Sequence, residues 1–152
     1  HPFSSHRPTE IISAPKVYGF DTGFVCYYRG WHVLRDQDLG VLWEHYVLNE
    51  IQAKLHTRGI HYWRDKRGHE VDFIVPQRGA PTIPIAIECK WKASQFDDRN
   101  FNAFFYQYPK ARFFVLAQDV DKEFSKKMGE IPVTFTGLSG IIEHLNNAMK
   151  TF

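Results

Sequence analysis

The stretch EVDFIVPQRGAPTIPIAIECK, residues 70–90, decides the fold. Two apolar runs, EVDFIVP (70–76) and TIPIAIECKW (82–91), flank the turn-like QRGAP. A third run, IHYWRD (60–65), precedes them across KRGH. Runs rich in β-branched and aromatic residues and bounded by Gly, Pro and charged turn residues predict strands, here three in succession beginning with a hairpin. The last strand is apolar until Glu88 and Lys90, which strand alternation puts on one face with Cys89 on the other.

Working outward, LGVLWEHYVLNEIQAKLHTRG (39–59) predicts a long helix, with Val41, Val47, Leu48, Ile51 and Leu55 recurring at helical spacing. Gly59 suits its C-terminal cap, and Lys54, His56 and Arg58 suit its dipole. SQFDDRNFNAFFYQYP (94–109) predicts a second helix and ARFFVLAQ (111–118) a buried strand. DVDKEFSKKMG (119–129) reads as a polar helix capped by Gly129, IPVTFTG (131–137) as a last strand, and Leu138, Ile141, Ile142, Leu145 and Met149 as the stripe of a closing helix. Upstream, KVYGF (16–20) is a short strand candidate, and in DTGFVCYYRGW Asp21 or Thr22 can cap a short helix. HPFSSHRPTEIISAP (1–15) has the look of a linker or docking arm. The expected division is an N-terminal linker or docking segment over 1–37 and an α/β domain over 38–152, with a mixed central sheet flanked by helices and the order αβββαβ, then αβα.

A chain of 152 residues, 43% hydrophobic and 16% aromatic, suits one globular domain with an aromatic-rich core and excludes a disordered chain. The net charge of +2 is too mild to hold a polyanion through bulk charge, so such binding would need local clustering or a metal. Cys26 and Cys89 stand far apart and form neither a disulfide framework nor a zinc pattern, which predicts a reduced, cytoplasmic setting. The chain carries no apolar run long enough for a membrane span. Its opening at HPFSS, without Met or signal peptide, predicts a piece of a longer protein.

Three acids occupy structurally expensive positions. A step of about 100° per residue puts Glu44 in the middle of the long helix's apolar stripe. A carboxylate buried there without a partner costs several kcal/mol or takes up a proton, unless a metal or a cationic partner relieves it. In EVDFIV, alternation groups Val71, Phe73 and Val75 on one face and Glu70, Asp72 and Ile74 on the other, with Asp72 in mid-strand where Asp is a poor strand former. Glu88 is the third acid, and Lys90 joins it. Hard divalent cations such as Mg²⁺ or Mn²⁺ favour carboxylate oxygens. A nearby ammonium can hold an attacking water or steady developing charge. Each residue also has a plainer reading: Glu88 and Lys90 as a local salt bridge, Asp72 on an exposed face, Glu44 paired to an Arg. Their order on successive elements of an αβββ run favours convergence on one point.

EVDF and IECK, with 15 residues between Asp72 and Glu88, resemble the motif of the PD-(D/E)XK nuclease superfamily, in which Val71 stands in place of the Pro. More closely, KVYGFDTGF, LWEHYVLNEI, HYWRDKRGHEVDF and IPIAIECKWK resemble, in order, the C-terminal nuclease-like domain of a prokaryotic AAA-type ATPase family, over residues 16 to 117. The resemblance implies a restriction-endonuclease-like core and a metal-dependent nuclease acting on DNA. It implies Mg²⁺ or Mn²⁺ held by Asp72, Glu88 and the Cys89 backbone carbonyl, with Glu44 as a further ligand and Lys90 placing the nucleophile. It also implies an upstream ATPase domain of the same polypeptide, although no G-x-x-x-x-G-K-[ST] occurs in this chain.

Arg64, Lys66 and Arg67 on the hairpin and Lys92 beyond the third strand are candidate nucleic-acid contacts, although such charges are usually solvated faces. His69 and Gln107 could face the site, and Trp63 and Trp91 read as packing residues. The D-T-G at 21–23 resembles the aspartic-protease tripeptide, but a cap or turn role suits Asp21 better. Two rival readings remain: a catalytically silent nuclease-fold module that helps an ATPase choose a partner, and a DNA-binding module without chemistry.

Overall fold

The strand meander forms as expected. In the computed structural model, whose described residues are 3, 16–56, 59–77 and 83–150, β1 (His61–Arg64), β2 (Glu70–Pro76) and β3 (Pro84–Lys90) pair antiparallel in sequence order. β4 (Arg112–Ala117) then joins β3 in parallel, and the full six-stranded order is β1-β2-β3-β4-β6-β5. β6 (Ile131–Thr136) runs parallel to β4, and β5 (Phe124–Met128) closes the sheet antiparallel to β6. Four helices flank it: α1 (Thr22–Arg29), α2 (Asp36–Leu55), α3 (Arg99–Gln107) and α4 (Leu138–Lys150). The class is α/β with a mixed sheet, and α2-β1-β2-β3-α3-β4 is the αβββαβ order read from the sequence. The expected arm over 1–15, apart from Phe3, and the QRGAP turn beyond Gln77 lie outside the described residues.

Period-two alternation sorts the strands onto two apolar layers. Ile85, Ile87 and Cys89 of β3 face a core shared with Val47 and Ile51 of α2 and Ile141 and Leu145 of α4. Ala86, Phe113 and Val115 face the opposite core, which α3 fills with Phe101 and Phe104. The aromatic composition is spent mainly on this second side, where Phe104 meets Trp63 and Tyr108 at ring-centroid distances of 5.2 and 4.6 Å.

One strand breaks the alternation. β1 and β2 pair at Arg64–Glu70 and Trp63–Val71, then resume at His61–Ile74. Two residues of β2, Asp72 and Phe73, therefore oppose the single residue Tyr62, which is a β-bulge. As a result Val71 and Ile74 share the α3-side core while Phe73 and Val75 face α2. The expected grouping of Val71 with Phe73 and Val75 is corrected by this extra residue.

Other differences have local causes. Residues 119–129 are not a helix: Phe124–Met128 form β5, because Phe124 stacks on Phe135 across the strand pair at 4.8 Å and Gly129 (φ 59°) supplies the turn into β6. The polar Lys126 and Lys127 suit an edge strand, which charge protects from pairing with other chains. KVYGF pairs with no strand, being held by side chains of α2. The helix expected over 94–109 is split into a 3₁₀ turn at Ala93–Gln95 and α3. α2 starts three residues early because the Asp38 carboxylate accepts the Arg35 backbone N–H at 3.0 Å. Asp21 does cap α1, accepting from the Gly23 and Phe24 N–H groups. No described helix is long and apolar enough to cross a membrane, and Cys26 and Cys89 are both free thiols.

α2 ends at Leu55, where His56 rather than the expected Gly59 takes the left-handed conformation (φ 49°). A Cβ in that region costs about 1–2 kcal/mol, part of which glycine returns as lost chain entropy. His56→Gly is expected to stabilise the protein by about 0.5–1 kcal/mol, read from the urea midpoint; an unchanged or lowered midpoint would show that the His56 side chain compensates for its backbone.

Candidate active site

The ladder between β2 and β3 runs from Pro76–Pro84 to Phe73–Ile87 and goes no further. One residue beyond its end, the bulged Asp72 fills the gap, its Oδ2 accepting the Cys89 backbone N–H at 2.9 Å. A carboxylate thus takes the place of a strand partner and is pinned in mid-sheet. Cys89 meets the site through this N–H, while burial pushes its thiol up, leaving the sulfur a neutral packing group.

On the α2 side, one ammonium gathers three carboxylates. Lys16 Nζ lies 2.7 Å from Glu44, 2.7 Å from Glu70 and 3.5 Å from Asp72. The Tyr18 hydroxyl donates to the same Glu44 oxygen at 2.6 Å. The acid in the apolar stripe of α2 is therefore relieved by a cationic partner and a phenol. Lys16, Tyr18 and Asp72 line a cleft of about 190 Å³ with Tyr62 and Phe73. Glu70 is also bound by Arg64.

On the α3 side, Glu88 is 2% exposed, and both its oxygens are engaged. Oε2 accepts from Lys90 Nζ and Oε1 from Asn100 Nδ2, each at 2.8 Å. Asn100 Oδ1 also accepts the Glu70 N–H at 3.3 Å, so one amide from α3 ties the start of β2 to the end of β3. Lys90 opens onto a cleft of about 440 Å³ together with Arg67, His69, Gln95, Arg99 and Asn100. His69 is oriented by Asp65, whose Oδ2 is 2.8 Å from its Nδ1.

The two sides are one electrostatic unit. Burial, then the charges of Glu88 and Glu44, push the Asp72 carboxyl up to about 8, against the opposing pull of Lys16 and Lys90. Burial would lower both lysines, but the carboxylates override it: Asp72 and Glu44 hold Lys16 above its ordinary value, and Glu88 and Asp72 hold Lys90 above its own. Glu70 likewise overcomes its burial and stays below the usual carboxylate range beside Lys16 and Arg64.

Of the residues read from the sequence, Glu44 and Asp72 meet at Lys16, Glu88 and Lys90 meet each other, and Asp72 feels both groups. Among the described residues no three His, Cys, Asp or Glu side chains stand together as a ready metal shell. The proposed nucleic-acid contacts divide. Arg67 lines the Lys90 cleft, whereas Arg64 is held by Glu70, and Lys92 by Asp36 at 2.7 Å. Lys66 is exposed on the hairpin turn, Gln107 is exposed at the end of α3, and Trp63 is buried in the core. Sequence reasoning missed Lys16, Glu70's part in the cluster, Asn100 and Arg99. Asn100 carried a signal, since it lies one helical turn before Phe104 on the face of α3 that meets the sheet.

A family model described as "Domain of unknown function (DUF4143)" matches residues 39–135, more than half of the chain. The chain belongs to the DUF4143 family. The match includes Glu44, Asp72, Glu88 and Lys90 and begins after Lys16 and Tyr18. Two uncharacterized proteins, one from Mycobacterium bovis and one from Mycobacterium tuberculosis, are each 33% identical to this DUF4143 chain over 72 residues. That stretch covers 45% of this chain and only 16% of the length of either relative.

The raised Asp72 carboxyl has a signed consequence. Between its unfolded value near 3.8 and about 8, the folded state holds a proton that the unfolded state has released, so Asp72 makes stability fall as pH rises through that window. Asp72→Asn, which removes the titration, is expected to shrink the loss of stability between pH 5 and pH 8 by at least about 1 kcal/mol, since a tenfold difference in proton affinity between the folded and unfolded states corresponds to about 1.4 kcal/mol. Equal slopes in urea unfolding at the two pH values would mean that Asp72 is ionised throughout.

Proposed function

We propose that this DUF4143 domain is a metal-dependent nuclease of the PD-(D/E)XK type, hydrolysing phosphodiester bonds of DNA as the C-terminal part of a longer AAA-type ATPase protein. The observation that carries this reading is that Asp72, at the end of the β2–β3 ladder, lies between Glu44 on the α2 side and the Glu88–Lys90 pair on the α3 side and feels the charge of both acids. The donor chemistry suits Mg²⁺ or Mn²⁺: all the ligands are oxygens, and Lys16 already stands as a cation against two of them, Glu44 and Asp72, as well as against Glu70. Asp72 and Glu88, with the Cys89 carbonyl and Glu44, are the residues to hold the ion. Such an ion lowers the pKa of a bound water and neutralises a phosphoryl oxygen.

The chain's own groups have roles that follow from their placement. Lys90, kept charged by Glu88 and open to the larger cleft, suits orienting a water or steadying charge on phosphate. Arg67 and Arg99 line the same cleft and suit contacts to flanking phosphates. Asn100 fixes Glu88 and is a positioning residue. The ATPase context rests on the resemblance of KVYGFDTGF and the motifs after it, and the relatives are long enough for further domains.

A second reading has its own support. The Lys16 ammonium offsets part of the cluster's charge without a metal, which suits a nuclease-fold module that binds a partner or DNA without cutting.

The test is cleavage of single- and double-stranded DNA with Mn²⁺ or Mg²⁺. Lys90→Ala and Glu88→Gln are each expected to lower the rate by a factor of about 100 or more, as loss of a positioned acid–base or charge-stabilising group does. Cleavage unchanged in both variants would assign the activity to a contaminant, and no cleavage by the unaltered chain with either metal would favour the silent module.

A further inference from the structure

We propose that Lys16 is a built-in plug of the carboxylate cluster, so that the Lys16 ammonium and a divalent cation occupy the site in turn and never together. The proposal rests on reading the cluster as a cation site, but not on the cluster cutting DNA.

Three observations carry it. The first is position. Lys16 Nζ stands within 3.5 Å of Glu44, Glu70 and Asp72, which include two of the residues assigned to a metal. An ion engaging Glu44 and Asp72 would meet the ammonium at close range, with like charges opposed in a mostly buried place. The second is that the occupant satisfies the cluster as it is: Glu44 and Glu70 each hold the ammonium at 2.7 Å, and Asp72 is turned to Lys16 and to the Cys89 N–H. Forming a shell therefore requires the ammonium to leave.

The third is that the segment carrying Lys16 can leave without dismantling the sheet. Residues 16–19 pair with no strand. Apart from Lys16, residues 16–20 are held by the Tyr18 hydroxyl on Glu44 at 2.6 Å, the Gly19 N–H on His45 Nδ1 at 2.8 Å, Asn49 Nδ2 on the Phe20 carbonyl at 2.8 Å, and the Tyr18 ring against Phe73 at 5.9 Å. Gly19 fits this latch because a Cβ there would meet Val25 at 2.6 Å. α1, which follows directly, buries none of its residues, so the anchorage is these hydrogen bonds and the one Tyr18 ring, which packs on the α2-side core. Each such bond contributes only about 0.5–1.5 kcal/mol net. The segment also lies outside the DUF4143 match, so the plug is separate from the part that defines the family.

The first measurement uses the unaltered 152-residue chain. Reductive methylation with formaldehyde and borohydride, read lysine by lysine by mass spectrometry, reports the access of each amine. Lys16 is expected to react slowly relative to the exposed Lys126 and to become at least fivefold more reactive at saturating Mn²⁺. Mn²⁺ binding, followed by electron paramagnetic resonance, with Lys16 still protected would overturn the proposal. The second measurement compares variants. Lys16→Met is expected to bind Mn²⁺ at least tenfold more tightly than the unaltered chain, whereas Lys16→Arg keeps the weak binding because it keeps the charge. Equal or weaker affinity in Lys16→Met would overturn the plug, as would absence of binding in both that variant and the unaltered chain. Should Lys16→Met fail to fold, the labelling result alone decides. DNA cleavage separates this idea from the nuclease reading. Mn²⁺ that releases Lys16 without any cleavage leaves the plug standing and removes the nuclease, and cleavage with Lys16 protected does the reverse.

Discussion

The structure turns on the need to compensate like charges held at the end of a strand ladder. Glu44 and Asp72 approach one nitrogen within 2.7 and 3.5 Å, so their nearest oxygens are no more than about 6 Å apart. At an effective dielectric near 20, two full charges at that distance repel by about 3 kcal/mol, a large fraction of the 5–15 kcal/mol that typically separates folded from unfolded domains. Glu70 and Glu88 add to the same field. The cluster can persist only with a cation in it, with a proton on one acid, or with both. Lys16 and the raised Asp72 carboxyl are these two solutions acting together.

The rest of the fold can be understood as the frame that holds those charges. A regular β2 would alternate Asp72 with Phe73 and leave the acid facing the α3 side with Ile74. The extra residue opposite Tyr62 lets Asp72 and Phe73 share the α2 side, so the acid meets Glu44 while Phe73 still fills the core. That core must be firm for the acids to stay put, and Ile85 and Ile87 on one side and Ala86 on the other are fully buried. Asn100 then fastens the opposite side by bridging the Glu70 N–H and the Glu88 carboxylate. A β-bulge beside a functional site is a recurring way of re-aiming a side chain.

Much of this frame was legible because it follows from short-range periodicity. The alternation in PIAIECK put Glu88 and Lys90 on one face, which holds in three dimensions, and the helical period put Glu44 on the inward stripe of α2, where it is part-buried beside Lys16 and Tyr18. Three things were not legible, each for a different reason. The bulge adds one residue to a strand of ordinary composition, and no residue type in EVDFIV marks it. Lys16 lies 28 residues before Glu44 in a segment with no period of its own, so its partnership exists only in the folded chain. The failure at 119–129 was one of period. DKEFSKKM is polar enough to pass for a solvated helix, and only the stack of Phe124 on Phe135 and the turn at Gly129 declare it an edge strand.

The two readings of function thus reduce to the identity of one cation. A tethered ammonium needs no free ligand, offsets the acids' charge at any ion concentration, and presents no water for attack. A divalent ion brings twice the charge and an exchangeable water, but it must overcome both the tether and the proton on Asp72. The tether is a small set of hydrogen bonds to one face of α2 and one aromatic ring on the core, with no strand pairing behind them. An acid cluster that served stability alone would be expected to close with a buried, well-packed partner, since replacing buried charges by apolar groups is often neutral or stabilising. Here the compensating charge sits on a segment that pairs with no strand, an arrangement that suits a removable occupant better than a permanent one.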